Sequence, residues 1–367
     1  AAVQRAGIDP ALVTEVLMGN CLMAGQGQAP ARQAAFKAGL PKGAGAVTLS
    51  KMCGSGMRAA MFAHDMLRAG SADVVVAGGM ESMTNAPYLL LKGRGGYRMG
   101  HDKVYDHMML DGLEDAYQPG RSMGTFGEEC AAKYTFTREQ QDAFATASVE
   151  RAKAAGSNGA FATEIAPVTV KERSGERVVS LDEGPGKVKL DKISSLRPAF
   201  KKDGTITAAS SSSINDGAAA LVMMRESTAR KLGCKPLARV VGHSVFAQEP
   251  EWFTTAPVGA SQKLLQQIGW SVKDVDLWEV NEAFAAVTMA AMTEFKLPHD
   301  IEAYARDKLH RKRLQLVAAN HGPSTFGRDD NQLLLVDAQG ARHLPAADKL
   351  SLARQLVAEL SHRLQTH

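Results

Sequence analysis

The chain has four cysteines, Cys21, Cys53, Cys130 and Cys234, and Cys53 stands in a setting that suits chemistry. It lies in "SKMCGSGMRAA", residues 50–60, between a β-like run and a stretch with helical spacing. A thiol reacts as its thiolate, a form that the oriented N–H groups of a helix N-terminus favour. Gly54 and Gly56 leave room for backbone beside the sulfur, so a thioester carbonyl would meet amide donors there. The competing reading is a structural cysteine in a strand-to-helix turn, because free cysteine is commonly buried. Local chemistry leaves both open, with the structural reading the commoner. Two histidines also fall under review. His64 sits on the apolar face of the helix after Cys53 and reads as a satisfied core residue. His243, in "GHS" at 242–244, follows an expected strand and is a weak candidate for a general base.

The remaining cysteines are widely spaced, with no CxxC pair and no metal-ligand spacing. Free thiols in a reducing, cytoplasmic setting are therefore expected, with no metal site. The 367 residues are 45% hydrophobic and 22% charged, which suits a globular protein with a sizeable core. The net charge of +4 is mild and partly local to Lys308–Arg313, so no nucleic-acid partner is expected. Val74–Ala77 and Ala283–Met292, the longest apolar runs, are too short to span a bilayer, and the start shows no secretory leader. The chain begins "AAVQRAG" without Met, so a natural start further upstream is expected.

Alternation of helical and strand-like segments indicates an α/β architecture. "ALVTEVLMG" and "SADVVVAGG" read as buried strands flanking a helix, "GSGMRAAMFAHDMLRAG", whose apolar face would carry Met57, Ala60, Met61, His64 and Leu67. From about Met83 to Ile214 the text is richer in Gly, Pro and charge, as in an inserted subdomain. It includes a helix that starts at a Thr137/Gln140 capping box. Strands are expected again at "DGAAALVMM" and "LARVVGHS". "QRAGIDPALVTEVLMGN" echoes "QQIGWSVKDVDLWEVNE", with Gly7 matching Gly269, Val13 matching Val275 and Met18 matching Val280. Either a duplication or the ordinary repetition of a helix-loop-strand unit would give that echo.

The text changes again at about Pro298–Ile301. "EAYARDKLHRKR" reads as a charged amphipathic helix, "LQLVAAN" as a strand and "NQLLLVDAQGARHLP" as a hairpin around Gln339-Gly340. The closing helix carries Leu352, Leu356, Leu360 and Leu364 on one face.

"MCGSGMRA" at Cys53, "VVAGGMESMTNAPY" at 75–88, "SSINDGAAAL" at 212–221 and "NEAFA" at 281–285 together resemble a thiolase, nearest to the acetyl-CoA acetyltransferase branch. The likeness runs from residue 1 to about 300. It implies a thiolase fold of two duplicated α/β halves in a layered α-β-α-β-α arrangement, with a loop domain over the coenzyme A site. The first half would occupy 1–82 and 215–236 without its first strand, the loop domain 83–214, and a partial second half 237–300. The resemblance implies that Cys53 accepts the acyl group as a thioester and that Asn281 holds a water of an oxyanion hole. An N-cap role for Asn281, ahead of "EAFAAVTMAAM", is compatible with that. Met123 and Ser212 match positions along the pantetheine arm of coenzyme A, and Ala283 and Phe284 match positions near the same pocket. Ser122 stands where the family commonly has His, and Ser210 where it usually has Asn.

The family completes its site with a His in a GHP motif and a second Cys in a CxGGG motif. Neither occurs in this sequence; "NHGPS" at 320–324 has His and Pro in another context. Little or no Claisen or thiolytic turnover is therefore expected, since a general base alone contributes about 10²- to 10⁴-fold. The segment 301–367 resembles the C-terminal end of phosphopantothenoylcysteine synthetase, a foreign α/β tail. That likeness implies nucleotide contacts from Lys308 and Lys312; a solvated basic helix face is the competing reading. The expected function is acyl-CoA C-acyltransfer, impaired in this chain. The alternatives are an inactive chimera, a non-catalytic CoA-thioester binder or, more remotely, a CTP-dependent ligase fragment. Coenzyme A thioesters would be substrates with no separate cofactor, and the protein a homodimer or homotetramer away from membranes.

Overall fold

The computed structural model describes residues 1–297, 305–306, 308–310, 312–319 and 330–365. The join at 298–301 and "NHGPS" at 320–324 lie wholly or partly outside the described residues. Two compact units result. The first comprises Ala1–Phe126, Ser213–Gln248 and Gly259–Val275; the second comprises Gly127–Ser212, Glu249–Val258 and Asp276–His367.

The first unit is built on a four-stranded sheet of β1 (Glu15–Gly19), β2 (Gly45–Leu49), β3 (Val74–Ser82) and β4 (Asp216–Met224), in the order β2-β1-β3-β4. β1 runs parallel to β2 and β3, and β4 pairs antiparallel with β3. Both faces of β1 and β3 are covered, which is why their sequences are nearly continuous apolar runs. Val16, Met18, Val74 and Val76 point to one face, against Ala31 and Ala35 of helix α1 (Pro30–Lys37). Leu17, Val75 and Ala77 point to the other, against Ala59, Ala63 and Leu67 of helix α2 (Ser55–Ala69).

The buried stripe of α2 differs from the expected one. Ala59, Ala63 and Leu67 face the sheet, while Met57 is 68% exposed. Two alanines at i, i+4 let the helix lie close on β1 and β3, and that close fit outweighs the larger apolar area of the methionines. At β4 the first six residues, Asp216–Leu221, are exposed. The Asp216 carboxylate fixes the strand's start, accepting from the Thr84 N–H at 2.9 Å and the Ser82 hydroxyl at 3.3 Å.

"LARVVGHS" does not form the expected strand: residues 238–249 have no ladder partner among the described residues. A strand is defined by the neighbour it bonds to, and here side chains hold the segment instead. The Ser244 hydroxyl donates to the Ala260 carbonyl at 2.5 Å and Lys263 Nζ to the Val245 carbonyl at 3.3 Å. The sequence echo has a partial structural counterpart. Gly7 and Gly269 both follow a helix with φ near +70°, and a 3₁₀ turn follows each, at Pro10–Leu12 and Val272–Asp274. The strand that should come next forms at β1 but not at 277–280.

In the second unit, α3 (Met123–Lys133) contributes Cys130 and Ala131, packed against Ala286 and Ala290. α4 (Arg138–Ser157) starts at the expected capping box, Thr137 with Gln140. α5 (Ala256–Ile268) is divided between the two units. α6 (Ala285–Phe295) buries seven of its residues. The tail forms β5 (Leu316–Ala319), β6 (Asp330–Asp337) and β7 (Ala341–Asp348), a three-stranded sheet ordered β7-β6-β5. Leu334 and Val336 of β6 pack with Ala305, Leu309 and Val317, while Leu335 packs with Leu344 and with Leu352 of helix α7 (Lys349–Gln365). The hairpin turn forms where expected, with the Asp337 carboxylate accepting from the N–H groups of Gln339 and Gly340 and from Arg363. Of the leucine stripe on α7, Leu352 is buried and Leu356 packs against the same cluster, but Leu360 is exposed. Glu359 takes the facing position there, paired with Arg342 and Arg363.

A Cβ at Gly78 would fall on the Ala219 carbonyl oxygen and within 2.9 Å of the Ala220 Cα. Gly78→Ala therefore separates β3 from β4. It should cost about 1–3 kcal/mol in urea unfolding, against no loss for Gly43→Ala, where a Cβ meets nothing; equal midpoints would refute the pairing.

Candidate active site

Cys53 sits in the turn that carries the chain from β2 into α2. Gly54 and Ser55 donate backbone N–H bonds back to the Lys51 and Met52 carbonyls, at 3.1 and 3.0 Å. Met52 is held at φ +47°, a left-handed conformation uncommon for a residue with a long side chain. Ser55 supports this turn. Its hydroxyl donates to the Met52 carbonyl at 2.6 Å and accepts from the Lys51 N–H at 2.7 Å. The helix proper opens at Ser55 behind an N-cap glycine, Gly54, that offers no side-chain cap. Cys53 is exposed, immediately before that end. The N-terminal partial charge of a 15-residue helix thus lies beside its sulfur.

Glycines seat the helix. Gly19 and Gly79 pair across β1 and β3. A Cβ at Gly19 would come within about 2.5–2.6 Å of the Ser55 and Gly56 backbone, and one at Gly79 within 3.3 Å of the Gly56 Cα. Beside this floor Glu81 acts as a latch. Its carboxylate accepts from Asn20 Nδ2 and the Cys21 N–H at 2.8 Å each and from the Leu22 N–H at 3.0 Å. Cys21 is thereby brought under the same turn, its thiol donating to the Met52 carbonyl at 3.2 Å and lying 3.4 Å from the Ser55 hydroxyl. Burial pushes the Cys21 thiol's pKa up, with hydrogen bonds from Ser55 and Ser50 opposing. A cavity of about 510 Å³ opens here, lined by Cys21, Met52, Cys53, Ser55, Glu81 and Met108 among others. Sequence reasoning found Cys53 but gave no role to Cys21, Ser55 or Glu81. Ser55 and Glu81 stand inside "CGSG" and "GGMESM", so their motifs carried a signal; Cys21 carried none.

Met123 belongs to the first unit and opens α3, where the Ser122 hydroxyl accepts from the Gly124 N–H at 3.3 Å. Ser212, Ala283, Phe284 and Asn281 belong to the second unit. Three of these are brought together. The Ser212 N–H donates to the Ala283 carbonyl at 3.0 Å, the Ala285 N–H to the Ser210 carbonyl at 2.9 Å, and Ser211 bridges Phe284. Phe284 packs on Ile206 and Val287, edge-on to Phe200.

Asn281 is not a helix N-cap. It is exposed, and α6 begins four residues later behind Phe284 in extended conformation. Backbone bonds to 210–212 hold Phe284 extended, and they win over an earlier helix start. In the tail, Lys308 donates to Asp276 Oδ1 at 2.9 Å, and Lys312 is exposed just past the helical residues 308–310.

The chain as a whole has known relatives. Family models described as thiolase N-terminal domain and thiolase C-terminal domain match residues 1–227 and 234–309. A third, the C-terminal domain of the DNA/pantothenate metabolism flavoprotein, matches 277–364, so two families claim 277–309. Acetyl-CoA acetyltransferase 2 of Arabidopsis thaliana is 50% identical over 293 residues, 79% of this chain and 72% of that protein. Acetyl-CoA acetyltransferase of Chromobacterium violaceum is 47% identical over 296 residues, 80% and 75% of the two chains. Among solved structures, the acetyl-CoA acetyltransferase of Syntrophomonas wolfei superposes with a TM-score of 0.77 at 38% identity, covering 87% of each chain. The Acat5 thiolase of Ascaris suum, solved with coenzyme A, gives 0.76 at 37%, covering 81% of this chain and 76% of that one. The mixed α/β architecture is that of the thiolase fold, followed by a segment from a second family. The chain belongs to the thiolase family, as an enzyme of the acyl-CoA acetyltransferase type.

Proposed function

We propose that Cys53 is the acyl-accepting nucleophile of a CoA-thioester acyltransfer. One observation carries this: an exposed thiol stands at an uncapped helix N-terminus and lines a roomy cavity. The Cys53 thiolate attacks the carbonyl carbon of acetyl-CoA. The oxyanion forms beside the N-terminal amides of α2, the bond from carbon to the coenzyme A sulfur breaks, and the departing thiolate takes a proton from solvent. The product is an acetyl thioester on Cys53 and free coenzyme A. Family resemblance gives Asn281 a water of the oxyanion hole and gives Met123, Ser212, Ala283 and Phe284 places along coenzyme A. The Ascaris suum relative, solved with coenzyme A, supports that ligand class. Resemblance likewise supports a first half over 1–82 and 215–236, a loop domain over 83–214, a partial second half over 237–300 and a tail over 301–367. It also supports a cytoplasmic homodimer or homotetramer.

The second half-reaction is the weak point. Joining or cleaving two acyl units needs a group to move the α-proton, and this sequence has neither GHP nor CxGGG. A binder that acylates without completing turnover is the second reading, and it rests on those motifs. For the tail, a basic helix face is favoured over a nucleotide site, because Lys308 is paired with Asp276.

Intact-protein and peptide mass spectrometry after incubation with acetyl-CoA should find one acetyl group, on Cys53, and none in Cys53→Ala. An unmodified chain, or label that persists in the variant, overturns the assignment. In an acetoacetyl-CoA thiolysis assay the chain should run at least about 10²-fold below the Arabidopsis thaliana acetyltransferase 2; equal rates would sink the impaired-turnover reading. Gly19→Ala forces the start of α2 away from β1 and should slow Cys53 acetylation by at least about tenfold with its circular dichroism retained. An unchanged rate would show that this seat does not position the thiol.

A further inference from the structure

Two histidines distant in sequence meet on one carboxylate in the first unit, outside the proposed acyl site. His64 and Asp65 lie on α2, and His243 lies in the segment 238–249, which has no ladder partner among the described residues. Asp65 Oδ1 is 2.8 Å from His243 Nε2 and 3.3 Å from His64 Nδ1. The two imidazoles are nearly perpendicular, at 88° with centroids 5.1 Å apart. One ligand atom from each of the three residues falls within 4.8 Å of the others. The side chains of His64 and His243 are 14% and 21% exposed and that of Asp65 55%, so packed rings converge on an open carboxylate.

We propose that His64, Asp65 and His243 form a binding site for a divalent transition metal of the zinc class, clipping the segment around His243 to α2. Two imidazole nitrogens and one carboxylate oxygen are a donor set that zinc accepts, with a fourth position left for water. Magnesium and calcium prefer oxygen-only sites and fit poorly. With bonds of about 2.0–2.2 Å, tetrahedral donors stand about 3.3–3.5 Å apart. Asp65 and His64 already stand at that spacing, at 3.3 Å, the Asp65–His243 pair has to open from 2.8 Å, and no separation in the trio exceeds 4.8 Å, all within reach of side-chain rotation. Each ring nitrogen that now donates to Asp65 gives up its proton as the metal binds. The role is structural. A ligand that joins residues 65 and 243 closes a long loop, and binding only the folded chain raises stability by mass action. The segment gains from the clip because no ladder among the described residues holds it.

The test titrates the full chain, stripped of metal by chelator and dialysed, with Zn²⁺ by calorimetry and with Co²⁺ by visible absorption. One Zn²⁺ per chain should bind at micromolar or tighter affinity, and Co²⁺ should give the intense visible band of a tetrahedral site. His64→Ala and His243→Ala should each weaken Zn²⁺ binding by at least about tenfold and abolish a Zn²⁺-dependent rise in the unfolding midpoint. Cys53→Ala should leave both unchanged, which separates this site from thiols that also bind zinc. His243→Gln, which retains a polar side chain of similar size, serves if the alanine variant does not fold. Absence of saturable binding, or binding that both histidine variants keep, overturns the proposal.

Discussion

The contact on which the site depends is the approach of the α2 N-terminus to the ends of β1 and β3. Gly19 and Gly79 present bare backbone there; Ser55 and Gly56 come down onto Gly19 closer than a Cβ would permit, and Gly56 lies tightly against Gly79. The helix axis, and with it the direction of its N-terminal N–H groups, is set by that floor and by the alanines that follow on the buried face. Met52 then has to turn sharply to deliver the chain into the helix. The Ser55 hydroxyl satisfies the backbone groups on both sides of that left-handed residue. Cys53 is the residue the turn leaves outward. Removing the close approach would not delete any reactive group; it would misdirect the amides proposed to receive the oxyanion.

Much of this was legible in the residues, because period and punctuation agree where the first unit is built. "SADVVVAGG" is a continuous apolar run because helices cover both faces of β3, and Gly79, which ends it, marks the seat of α2. The hairpin around Gly340 and the capping box at Thr137 were readable for the same local reason. Two things were not. The face of α2 was misjudged because apolar size was weighed and closeness was not: Ala59 and Ala63 bury where Met57 does not. Cys21 was invisible because its place under the turn comes from a strand pairing sixty residues away and from the Glu81 latch, neither of which leaves a local pattern.

The stretch from 237 to 284 shows how far local sequence falls short of structure when partners are missing. "LARVVGHS" has the composition of a strand, yet strand formation is a property of two segments, and among the described residues it has none to pair with. Side chains take over: Ser244 and Lys263 fasten it to neighbouring backbone, and His243 fastens it to Asp65. At 281–284 the opposite happens. "NEAFA" looks like the start of a helix, but backbone bonds to 210–212 hold it extended until Ala285. Those bonds place Ser212 beside Ala283 and Phe284, three residues that resemblance alone had grouped.

Two thiols line one cavity, and their surroundings divide the labour between them. Cys21 is half-buried and its S–H is spent on the Met52 carbonyl, a bond that only the protonated form can make. Its pKa is pushed up by burial, so at neutral pH it remains a thiol and a structural donor. Cys53 is exposed and stands at the helix end, where the proposed nucleophilic attack needs it. The same turn therefore uses one cysteine to hold its shape and leaves the other exposed for the proposed acylation. Replacing Cys21 by serine would keep a donor to Met52, whereas alanine would leave that carbonyl to Ser55 alone, so positioning of Cys53 should tolerate the first change better than the second.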